Sequence, residues 1–214
     1  MKRELISAPI PTLKRLPKYY HLLKKYSKTD KQYVSARMIA DELKMDPILV
    51  RKDIQSTGIV GKPKIGFELK ELMKSINTFL NWDNLNDAFL VGVGGLGQAI
   101  LGYESFKNYG LNIVAAFDVN KEVIGRKIRG IEILPLDKLA NLAKRMHINI
   151  GVMTVPPSAA QEVADQMVEG NIQAIWNFAP VDLKLPETII LENVLLSQSL
   201  GVLTHKLAQK INSI

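Results

Sequence analysis

The chain has 214 residues, 47% of them hydrophobic and 23% charged, which excludes a wholly disordered chain and allows one large domain or two small ones. It has no cysteine, so disulfides, zinc ribbons, iron–sulfur clusters and thiol redox chemistry are excluded, and with three histidines we predict no metal site. A membrane-spanning helix needs about 18 consecutive apolar residues, and the sequence has no apolar run of that length. The start of the chain lacks the apolar core of a signal peptide. We therefore expect a cytoplasmic protein that makes no membrane contact.

The net charge of +7 is unevenly distributed. The first 84 residues carry 17 Lys and Arg against 9 Asp and Glu, and the remainder carries 11 against 12. Such asymmetry favours a polyanion-binding segment joined to an ordinary one, although a solvated basic face has the same composition. A polar, turn-rich stretch at 81–87 marks the boundary, so we predict a first domain over 1–84, a second domain over 85–194 and a terminal helix over 195–214.

The basic segment begins with a pattern of short helices. Apolar spacing predicts a helix over 12–26 capped by Thr12, and a short second helix capped by Ser35. Asp46 and Pro47 suit the cap and the first position of the helix that follows. A short helix, a three-residue turn and a capped helix form a helix-turn-helix pattern; a small helical bundle is the alternative.

The second helix of this pair, about 47–56, would enter a DNA major groove. We expect Ile48, Leu49 and Ile54 to face the core. Arginine and lysine can reach guanine edges or phosphates, and glutamine can reach adenine. The outward residues with this chemistry are Arg51, Lys52 and Gln55.

Residues 58–67 have the composition of a hairpin, with short β-prone runs around a Gly/Pro/Lys tip. After a helix-turn-helix, this arrangement is typical of a wing. Lys62 and Lys64 would then meet the phosphate backbone or the minor groove. A further helix is expected over about 68–80.

The second half alternates strands and helices. A short apolar strand ending at Val91 leads into a glycine motif, a helical stretch over 98–108 and a strand that ends at Asp118. The motif runs Gly92-Val93-Gly94-Gly95-Leu96-Gly97. A G-x-G-x-x-G motif alone is weak evidence, but the strand before it, the helix after it and the distal acid together form a dinucleotide-binding fingerprint.

The spacing of this motif has a physical basis. Gly92 permits a tight turn, Gly94 lets the backbone approach a pyrophosphate, and Gly97 lets the helix pack closely on the strand. The free N–H groups of the helix N-terminus attract phosphates. Asp118 would accept hydrogen bonds from ribose hydroxyls and repel a 2′-phosphate, which favours NAD(H) over NADP(H); Lys121 weakens that preference. An empty crevice or another nucleotide is the alternative.

Two later strands supply candidate nicotinamide contacts. Ligands in open α/β sheets lie beyond the carboxyl ends of the strands. The residues at the carboxyl ends of these two strands are Thr154, Val155, Pro156, Asn177, Phe178, Ala179 and Pro180. Loop punctuation by proline is the alternative. The predicted fold class is therefore α/β, a winged helix-turn-helix domain followed by a Rossmann-type domain.

A terminal amphipathic helix has an apolar stripe that packs either on its own domain or on a partner. The stripe comprises Leu196, Leu200, Leu203, Leu207 and Ile211. We favour the partner, because operator-binding proteins dimerise to match palindromic half-sites.

We predict no catalytic residues and no enzyme activity. A dinucleotide enzyme needs a proton donor or acceptor near the nicotinamide. His147 and His205 lie at a helix end and on the terminal helix, away from the predicted strand ends, and no substrate-sized domain follows the nucleotide-binding fold.

Several segments together resemble one known family. They are Lys14-Arg15-Leu16-Pro17, Tyr19-Tyr20, Val50-Arg51-Lys52-Asp53, Val91 to Gly97, Ala116-Phe117-Asp118, Thr154-Val155-Pro156, Asn177-Phe178-Ala179-Pro180 and Glu192-Asn193-Val194. With the order of domains, they resemble the Rex family of bacterial redox-sensing transcriptional repressors over nearly the whole chain.

The resemblance implies a homodimer with exchanged terminal helices that binds palindromic double-stranded DNA operators. In the family, DNA is bound when NADH is scarce and released when NADH accumulates, and NADH and NAD+ compete for one site. Tyr103 matches a tyrosine, early in the glycine-rich helix, that takes part in the switch. The expected DNA-contacting residues are Arg15, Ser35, Pro47, Arg51, Lys52, Gln55, Lys62 and Lys64.

The chain also departs from the family pattern. His21 stands where an arginine usually follows the paired tyrosines, and Leu195 stands where an acid usually follows Glu-Asn-Val; both belong to the tyrosine's network. Ser56-Thr57-Gly58 replaces the usual Tyr-Phe-Gly, and Lys64 replaces a wing glycine. We expect a redox repressor with an altered switch or operator preference. The alternatives are a Rex-like NAD(H)-binding protein that acts through a protein partner and, more weakly, an NAD-dependent oxidoreductase.

Overall fold

The structure is a computed structural model that describes residues 7–213; residues 1–6 and 214, the outer ends of the predicted first domain and terminal helix, lie outside the described residues. The described residues form two compact units. One runs to Asn84 and includes 108–110, and the other comprises 85–107 and the chain from Leu111 onward. Among residues 7–213, no helix is long and apolar enough to cross a membrane.

The first unit is mainly helical, and its small sheet pairs β1 with β2 in antiparallel register. Its elements are α1 (Ile10–Tyr26), β1 (Tyr33–Val34), α2 (Ala36–Leu43), α3 (Pro47–Gln55), β2 (Phe67–Glu68) and α4 (Leu69–Phe79). Buried side chains from all four helices form one core, because each helix places apolar residues on one face. Its fully buried members include Leu16, Leu23, Ile39, Val50, Ile54, Leu72 and Ile76.

The predicted caps mark the starts of α2 and α3. The Ser35 hydroxyl accepts a hydrogen bond from the Met38 N–H, and the Asp46 carboxylate accepts hydrogen bonds from the N–H groups of Ile48 and Leu49. Each bond satisfies a backbone donor that the helix itself cannot pair. The helix-turn-helix pattern is therefore confirmed.

The expected inward face of α3 is wrong for Ile48 and Leu49 and confirmed for Ile54. Ile48 and Leu49 are 62% and 37% exposed, whereas Val50, Asp53 and Ile54 are buried. Residues at i, i+3 and i+4 share a helical face. The buried face of α3 therefore consists of Val50, Asp53 and Ile54 and excludes the residues of its first turn. Inspection of apolar residues alone missed it because one of its members is an aspartate.

The second unit is a seven-stranded sheet with helices. Its elements are β3 (Asn86–Val91), α5 (Gly95–Leu101), β4 (Leu111–Asp118), β5 (Lys127–Ile128), β6 (Ile131–Pro135), α6 (Leu139–Met146), β7 (Ile150–Met153), α7 (Pro157–Glu169), β8 (Ala174–Asn177), β9 (Ile190–Asn193) and α8 (Leu196–Ile211). The strand order is β5-β6-β4-β3-β7-β8-β9. β5 is antiparallel to β6, and the remaining pairs are parallel. From β6 to β9 this is the doubly wound order of dinucleotide-binding folds.

The sheet has a core on each face. On one face, Phe89 and Phe117 lie 4.9 Å apart between ring centroids among the apolar residues of α6 and α7. On the other, Leu90, Ala116 and Val152 pack with residues of α5. Because successive side chains of a strand point to opposite faces, the near-continuous apolar runs of β3 and β4 are explained by burial on both sides.

The helical stretch expected over 98–108 is wrong. α5 ends at Leu101, and a 3-10 segment, Glu104–Tyr109, follows. Gly102 closes the last α-helical bond to Gln98, and the next N–H, of Tyr103, bonds the carbonyl of Ile100 instead. The change to i→i+3 bonding is typical of a helix end. It places Tyr103 after the glycine-rich helix rather than early within it.

Candidate cofactor cleft and nucleic-acid interface

The cofactor candidate lies where the strand order reverses, beyond the carboxyl ends of β3 and β7. Gly92 follows β3 and Thr154 follows β7. The Thr154 hydroxyl donates to the Gly92 carbonyl across 2.6 Å, and the Thr154 N–H donates to the Val91 carbonyl across 2.9 Å. These bonds hold the glycine turn against the neighbouring strand end, at the switch point where doubly wound sheets bind ligands.

The glycines of the turn have distinct physical roles. Gly92 has a φ of +94°, and an added Cβ would lie 2.8 Å from backbone atoms of Thr154. A Cβ on Gly97 would collide with the Gly92 carbonyl oxygen. By contrast, a Cβ on Gly94 would meet nothing within 4 Å. Gly92 and Gly97 are therefore required by packing of the turn, and Gly94 leaves open space where a ligand can approach the backbone.

The carboxylate of Asp118 ties the end of β4 to this turn. Its Oδ2 accepts a hydrogen bond from the Val93 N–H across 2.6 Å, and its Oδ1 accepts one from the Asn120 N–H across 2.8 Å. Each carboxylate oxygen can accept more than one hydrogen bond. Asp118 therefore orders the glycine turn and still has acceptor capacity toward the cleft.

A cleft of about 560 Å³ opens between these strand ends. The predicted cofactor residues that line it are Gly92, Val93, Gly94, Asp118, Thr154, Val155 and Pro156. Those outside its lining are Gly95, Leu96, Gly97, Tyr103, Lys121, Asn177, Phe178, Ala179 and Pro180. The first three of these lie in the opening turn of α5, and of the last four, Asn177 ends β8 and the other three follow it at the same edge of the sheet.

Sequence reasoning missed the apolar wall of the cleft. Val119, directly after the acid, is 73% exposed. It lines the cleft together with Asn120, Val123, Leu136, Ala159 and Val163. An apolar residue immediately after the strand-end acid was the available signal, because a flat adenine ring requires an apolar surface beside the ribose site.

Asn177 shapes the loop after β8. It is fully buried, and its amide nitrogen donates to the Ala179 carbonyl and to Asn193 Oδ1. Its amide oxygen accepts from the Ala179 N–H across 2.8 Å. The side chain is therefore engaged in fixing the turn that presents Phe178 and Pro180.

Tyr103 is 52% exposed, and its ring packs edge-on against Phe106 at 4.8 Å between centroids. Tyr103 and Lys107 also form a Tyr-x-x-x-Lys spacing. Both residues lie in or next to the 3-10 segment, outside the cleft lining. The pair therefore places no proton donor in the cleft.

A second groove, of about 640 Å³, lies between α3 and the wing of the first unit. The wing is a tight hairpin in which Lys62 and Gly66 exchange backbone hydrogen bonds. Five of the predicted DNA-contacting residues line this groove: Ser35, Arg51, Gln55, Lys62 and Lys64. Lys52 is exposed on α3 and Pro47 begins that helix, but neither lines the groove.

Arg37 is a groove residue that sequence reasoning missed. It lies in the first turn of α2, and its side chain is 83% exposed. Its pairing with Asp41 is long, at 3.9 Å. A cation in the turn after the Ser35 cap was the available signal, because helix N-termini of this kind approach phosphates.

Arg15 is held inside the first unit. Its guanidinium pairs with the Asp53 carboxylate, which also accepts hydrogen bonds from the hydroxyls of Tyr19 and Thr12. The expectation that Thr12 caps α1 is therefore wrong: the helix begins at Ile10, and Thr12 is buried against Asp53. The predicted DNA contact of Arg15 stays a prediction.

The Asp53 network shifts the pKa values of its members. Burial favours the protonated form of Asp53, but hydrogen bonds from Arg15, Tyr19 and Thr12 outweigh it and hold the pKa of Asp53 below its usual value. Burial and the hydrogen bond to Asp53 raise the pKa of Tyr19 well above its usual value. Asp53 is therefore an anion and Tyr19 a neutral donor at neutral pH.

Two family models match the chain. One, described as "CoA binding domain", covers residues 83–181, and the other, described as "Putative DNA-binding protein N-terminus", covers residues 7–54. A redox-sensing transcriptional repressor Rex of Treponema denticola is 42% identical over 193 residues, 90% of this chain and 92% of the relative. One of Clostridium botulinum is 40% identical over 92% of this chain and 94% of the relative.

The chain belongs to the Rex family of redox-sensing transcriptional repressors. Among solved structures, a Rex-family repressor, RSP, in complex with β-NAD+ and operator DNA has a TM-score of 0.88 and 34% identity, and covers 95% of this chain and 94% of its own. RSP in complex with β-NADH has a TM-score of 0.87 and 33% identity, with 95% of both chains covered. Membership in the Rex family confirms the predicted fold class and the predicted regulator rather than an enzyme.

The positions at which this chain departs from the Rex pattern have defined surroundings. His21 is exposed on α1, and its ring lies edge-on to Tyr109 at 5.8 Å between centroids. Leu195 immediately precedes α8. Lys64 has a φ of +62° at the wing tip, a left-handed conformation that a glycine adopts without steric cost. The wing lysine Lys62 is held beside Tyr33, with 3.4 Å between Nζ and the phenol oxygen.

Proposed function

We propose that this chain is a homodimeric repressor that binds palindromic operator DNA through its first unit and releases it when NADH binds its second. The observation that carries the cofactor half is Asp118, whose carboxylate joins the strand end to the glycine turn within one cleft. The groove of exposed cations between α3 and the wing supports the DNA half. Because operator DNA lies in the bacterial cytoplasm, we place the protein there.

The residues present fit an adenine dinucleotide. Gly94 leaves open space beside the backbone for a pyrophosphate, Asp118 offers a carboxylate to ribose hydroxyls, and Val119 offers an apolar surface to adenine. Thr154, Val155 and Pro156 line the cleft beyond β7, and residues 177–180 lie at the carboxyl end of the next strand. When bound, NAD(H) supplies the redox signal through the charge and shape of its nicotinamide; this chain supplies the binding surface.

The charge of Asp118 favours NAD(H) over related nucleotides. NADP(H) carries a 2′-phosphate and coenzyme A a 3′-phosphate on the adenosine ribose, whereas both ribose hydroxyls are free in NAD(H). A carboxylate at the ribose site repels either phosphate. The name of the matched domain family therefore describes a shared adenosine diphosphate site rather than the cofactor of this chain.

DNA binding is assigned to α3 and the wing. Arg51 and Gln55 project from α3 into the groove that Lys62 and Lys64 border. Helix side chains at a major groove read base edges, and wing lysines neutralise phosphates. We add Arg37 to the predicted set, since it lines the same groove.

The homodimer is assigned to α8. Each residue of this helix is exposed within one chain, including the stripe of Leu196, Leu200, Leu203, Leu207 and Ile211 at 54–69% exposure. A contiguous apolar surface of this kind marks a protein–protein contact. A second copy of the chain satisfies it and supplies the two-fold axis that a palindromic operator requires.

Asp118→Asn tests the cofactor assignment. We expect a 10-fold to 100-fold weaker NADH affinity, because a hydrogen bond to a charged group contributes about 1.5–3 kcal/mol. Selectivity against NADPH and coenzyme A should fall as well. NADH fluorescence titration measures the affinity, and Asp182→Asn, an exposed carboxylate outside the cleft lining, is the matched control. Equal NADH affinity and equal selectivity in the two variants would remove Asp118 from the site.

Operator binding is tested on a duplex obtained by selection from a random library. Fluorescence anisotropy with the selected duplex, at fixed salt, should show tight binding alone and with NAD+, and at least 10-fold weaker binding with NADH. Arg51→Ala should weaken binding about 10-fold, as loss of one good base contact does, while Lys74→Ala on α4, outside the groove, should not. Specific binding indifferent to NADH would reject the redox switch, and failure to select any duplex would favour a protein partner.

A further inference from the structure

Residues 108–110 belong to the first unit although the chain on either side belongs to the second. The Tyr109 ring lies edge-on to Trp82 at 4.8 Å and to His21 at 5.8 Å between centroids. Trp82 in turn lies edge-on to Tyr20 at 5.3 Å. We call Tyr20, His21, Trp82 and Tyr109 the aromatic clamp. Such ring pairs contribute about 0.5–1.5 kcal/mol each beyond the area they bury, so the segment is firmly seated.

Gly110 shows how closely this segment is seated. It is buried, with a φ of +76°. A Cβ added there would lie 2.9 Å from the Asn84 carbonyl oxygen, 3.0 Å from that of Asn81 and 3.2 Å from the Trp82 Cα. Both the left-handed conformation and the space require glycine. The backbone of the segment therefore packs directly on the turn that follows α4.

The same segment is continuous with the cofactor side of the second unit. The 3-10 segment Glu104–Tyr109 follows α5, which begins in the glycine turn. Phe106 of this segment packs edge-on against Trp176 of β8 at 5.5 Å, and Trp176 packs against Phe178 at 4.7 Å. The chain itself leads from the glycine turn, and packed aromatic rings lead from the loop after β8, to the 3-10 segment that ends at Tyr109.

α1 continues the path to the DNA-reading helix. It contributes Tyr20 and His21 to the aromatic clamp. Tyr19 directly precedes these two residues and Arg15 lies about one and a half turns before them, and both are bonded to Asp53 of α3. Since Asp53 is fixed by donors from α1, a shift of α1 is transmitted to α3. Coupling of this kind is carried by contiguous packed side chains and hydrogen bonds.

We propose that the aromatic clamp and α1 carry the coupling between cofactor binding and DNA binding in this chain. NADH bound at the glycine turn shifts the 3-10 segment, Tyr109 moves against α1, and the Asp53 network displaces α3. This inference rests on the proposed NADH-releasable repressor and names its route.

The test measures a coupling factor, the ratio of operator Kd with saturating NADH to operator Kd without it, on the selected duplex. Allosteric couplings typically span about 5-fold to 150-fold. We expect Tyr109→Ala and His21→Ala each to lower the factor at least five-fold, and the double variant to lower it no further. In these variants, NADH affinity without DNA and operator affinity without NADH should stay within about two-fold of the wild type. The same two affinities should stay within about two-fold in Lys18→Ala, a control at an exposed position of α1.

Hydrogen exchange measures the response of α1 to NADH, and this response would not depend on Tyr109 if the role of Tyr109 were only structural. In the wild type, NADH should change the exchange of the α1 amides over 19–26, and in Tyr109→Ala it should not. Thermal denaturation checks folding, and Tyr109→Leu and His21→Gln replace any variant that fails it. A coupled wild type with equally coupled variants overturns the route alone. An uncoupled wild type overturns the proposed function and the route together.

Discussion

The guanidinium of Arg15 meets the carboxylate of Asp53 at two points, with Nε 2.6 Å from Oδ2 and Nη2 2.7 Å from Oδ1. Tyr19 and Thr12 add hydroxyl donors at 2.6 and 2.9 Å. Asp53 is 2% exposed, so its charge is removed from water and satisfied by α1. This ion pair fixes α3, the helix proposed to contact DNA, against α1 rather than contributing to the surface charge of the unit.

Removal of the Asp53 carboxylate should therefore destabilise the first unit. Loss of one partner from a buried pair costs about 3–5 kcal/mol, since the other charge stays behind uncompensated. Arg15 keeps a side-chain exposure of 21%, so we expect Asp53→Ala to lie at the lower end, about 3 kcal/mol. Urea denaturation followed by circular dichroism measures the free energy of unfolding.

Arg37→Ala is the control for this prediction. Arg37 faces Asp41 at 3.9 Å with both side chains mostly exposed, and surface pairs contribute about 0–1 kcal/mol. Its loss should leave the free energy of unfolding within about 0.5 kcal/mol of the wild type. Losses of similar size in Asp53→Ala and Arg37→Ala would contradict a special role for the buried pair.

The same network makes stability depend on pH in the acid range. Burial alone would raise the pKa of Asp53, but the donors of Arg15, Tyr19 and Thr12 hold it below its usual value. A carboxyl with a depressed folded-state pKa adds stability above its unfolded pKa of about 3.9 and loses it as pH falls through the folded-state value. The stability difference between wild type and Asp53→Asn should stay constant from pH 7 to 5 and shrink below about pH 4. A constant difference down to pH 3 would contradict the assignment.

Local signals in the sequence predicted most of the fold. The side chains of Ser35 and Asp46 accept hydrogen bonds from backbone N–H groups within three residues. Pro47 fixes the backbone of the first helical position. These signals need no distant partner. The glycine turn and Asp118 are likewise readable, because the fingerprint spans one β-α-β unit. These signals predicted many of the residues that line the cofactor cleft and the groove between α3 and the wing.

Contacts between distant residues could not be predicted. The role of Asp53 could not be predicted, because its partners lie 34 to 41 positions earlier. The early end of α5 at Leu101 could not be predicted either. A 3-10 segment follows the helix, and apolar periodicity does not distinguish a short 3-10 segment from an α-helix. Residues 108–110 join the first unit through Trp82 and His21, a placement that depends on tertiary packing alone.

The wing tip offers a substitution that should raise stability. Lys64 has a φ of +62°, and the left-handed region costs a non-glycine residue about 1–2 kcal/mol. Greater freedom of the unfolded chain offsets part of this for glycine. We therefore expect Lys64→Gly to raise the free energy of unfolding by about 0.5–1 kcal/mol in urea denaturation.

The DNA affinity of Lys64→Gly should fall although its stability rises. If Lys64 neutralises one phosphate, the slope of log affinity against log salt should fall by about 0.9. Lys64→Asn separates the two effects, because asparagine tolerates the left-handed region but carries no charge. An unchanged salt slope in both variants would remove Lys64 from the phosphate contacts, and lower stability in Lys64→Gly would reject the strain.

The apolar stripe of α8 should determine the oligomeric state. Leu203 is 63% exposed in one chain, and a glutamate there would bury an uncompensated charge in a dimer contact. We expect Leu203→Glu to be monomeric in sedimentation velocity and to lose about 10²–10⁴-fold in operator affinity, since two half-sites are no longer engaged together. NADH affinity per chain should change little if the cleft is complete within one chain. Gln209→Glu, off the stripe on the same helix, should stay dimeric, and a dimeric Leu203→Glu would show that another surface forms the contact.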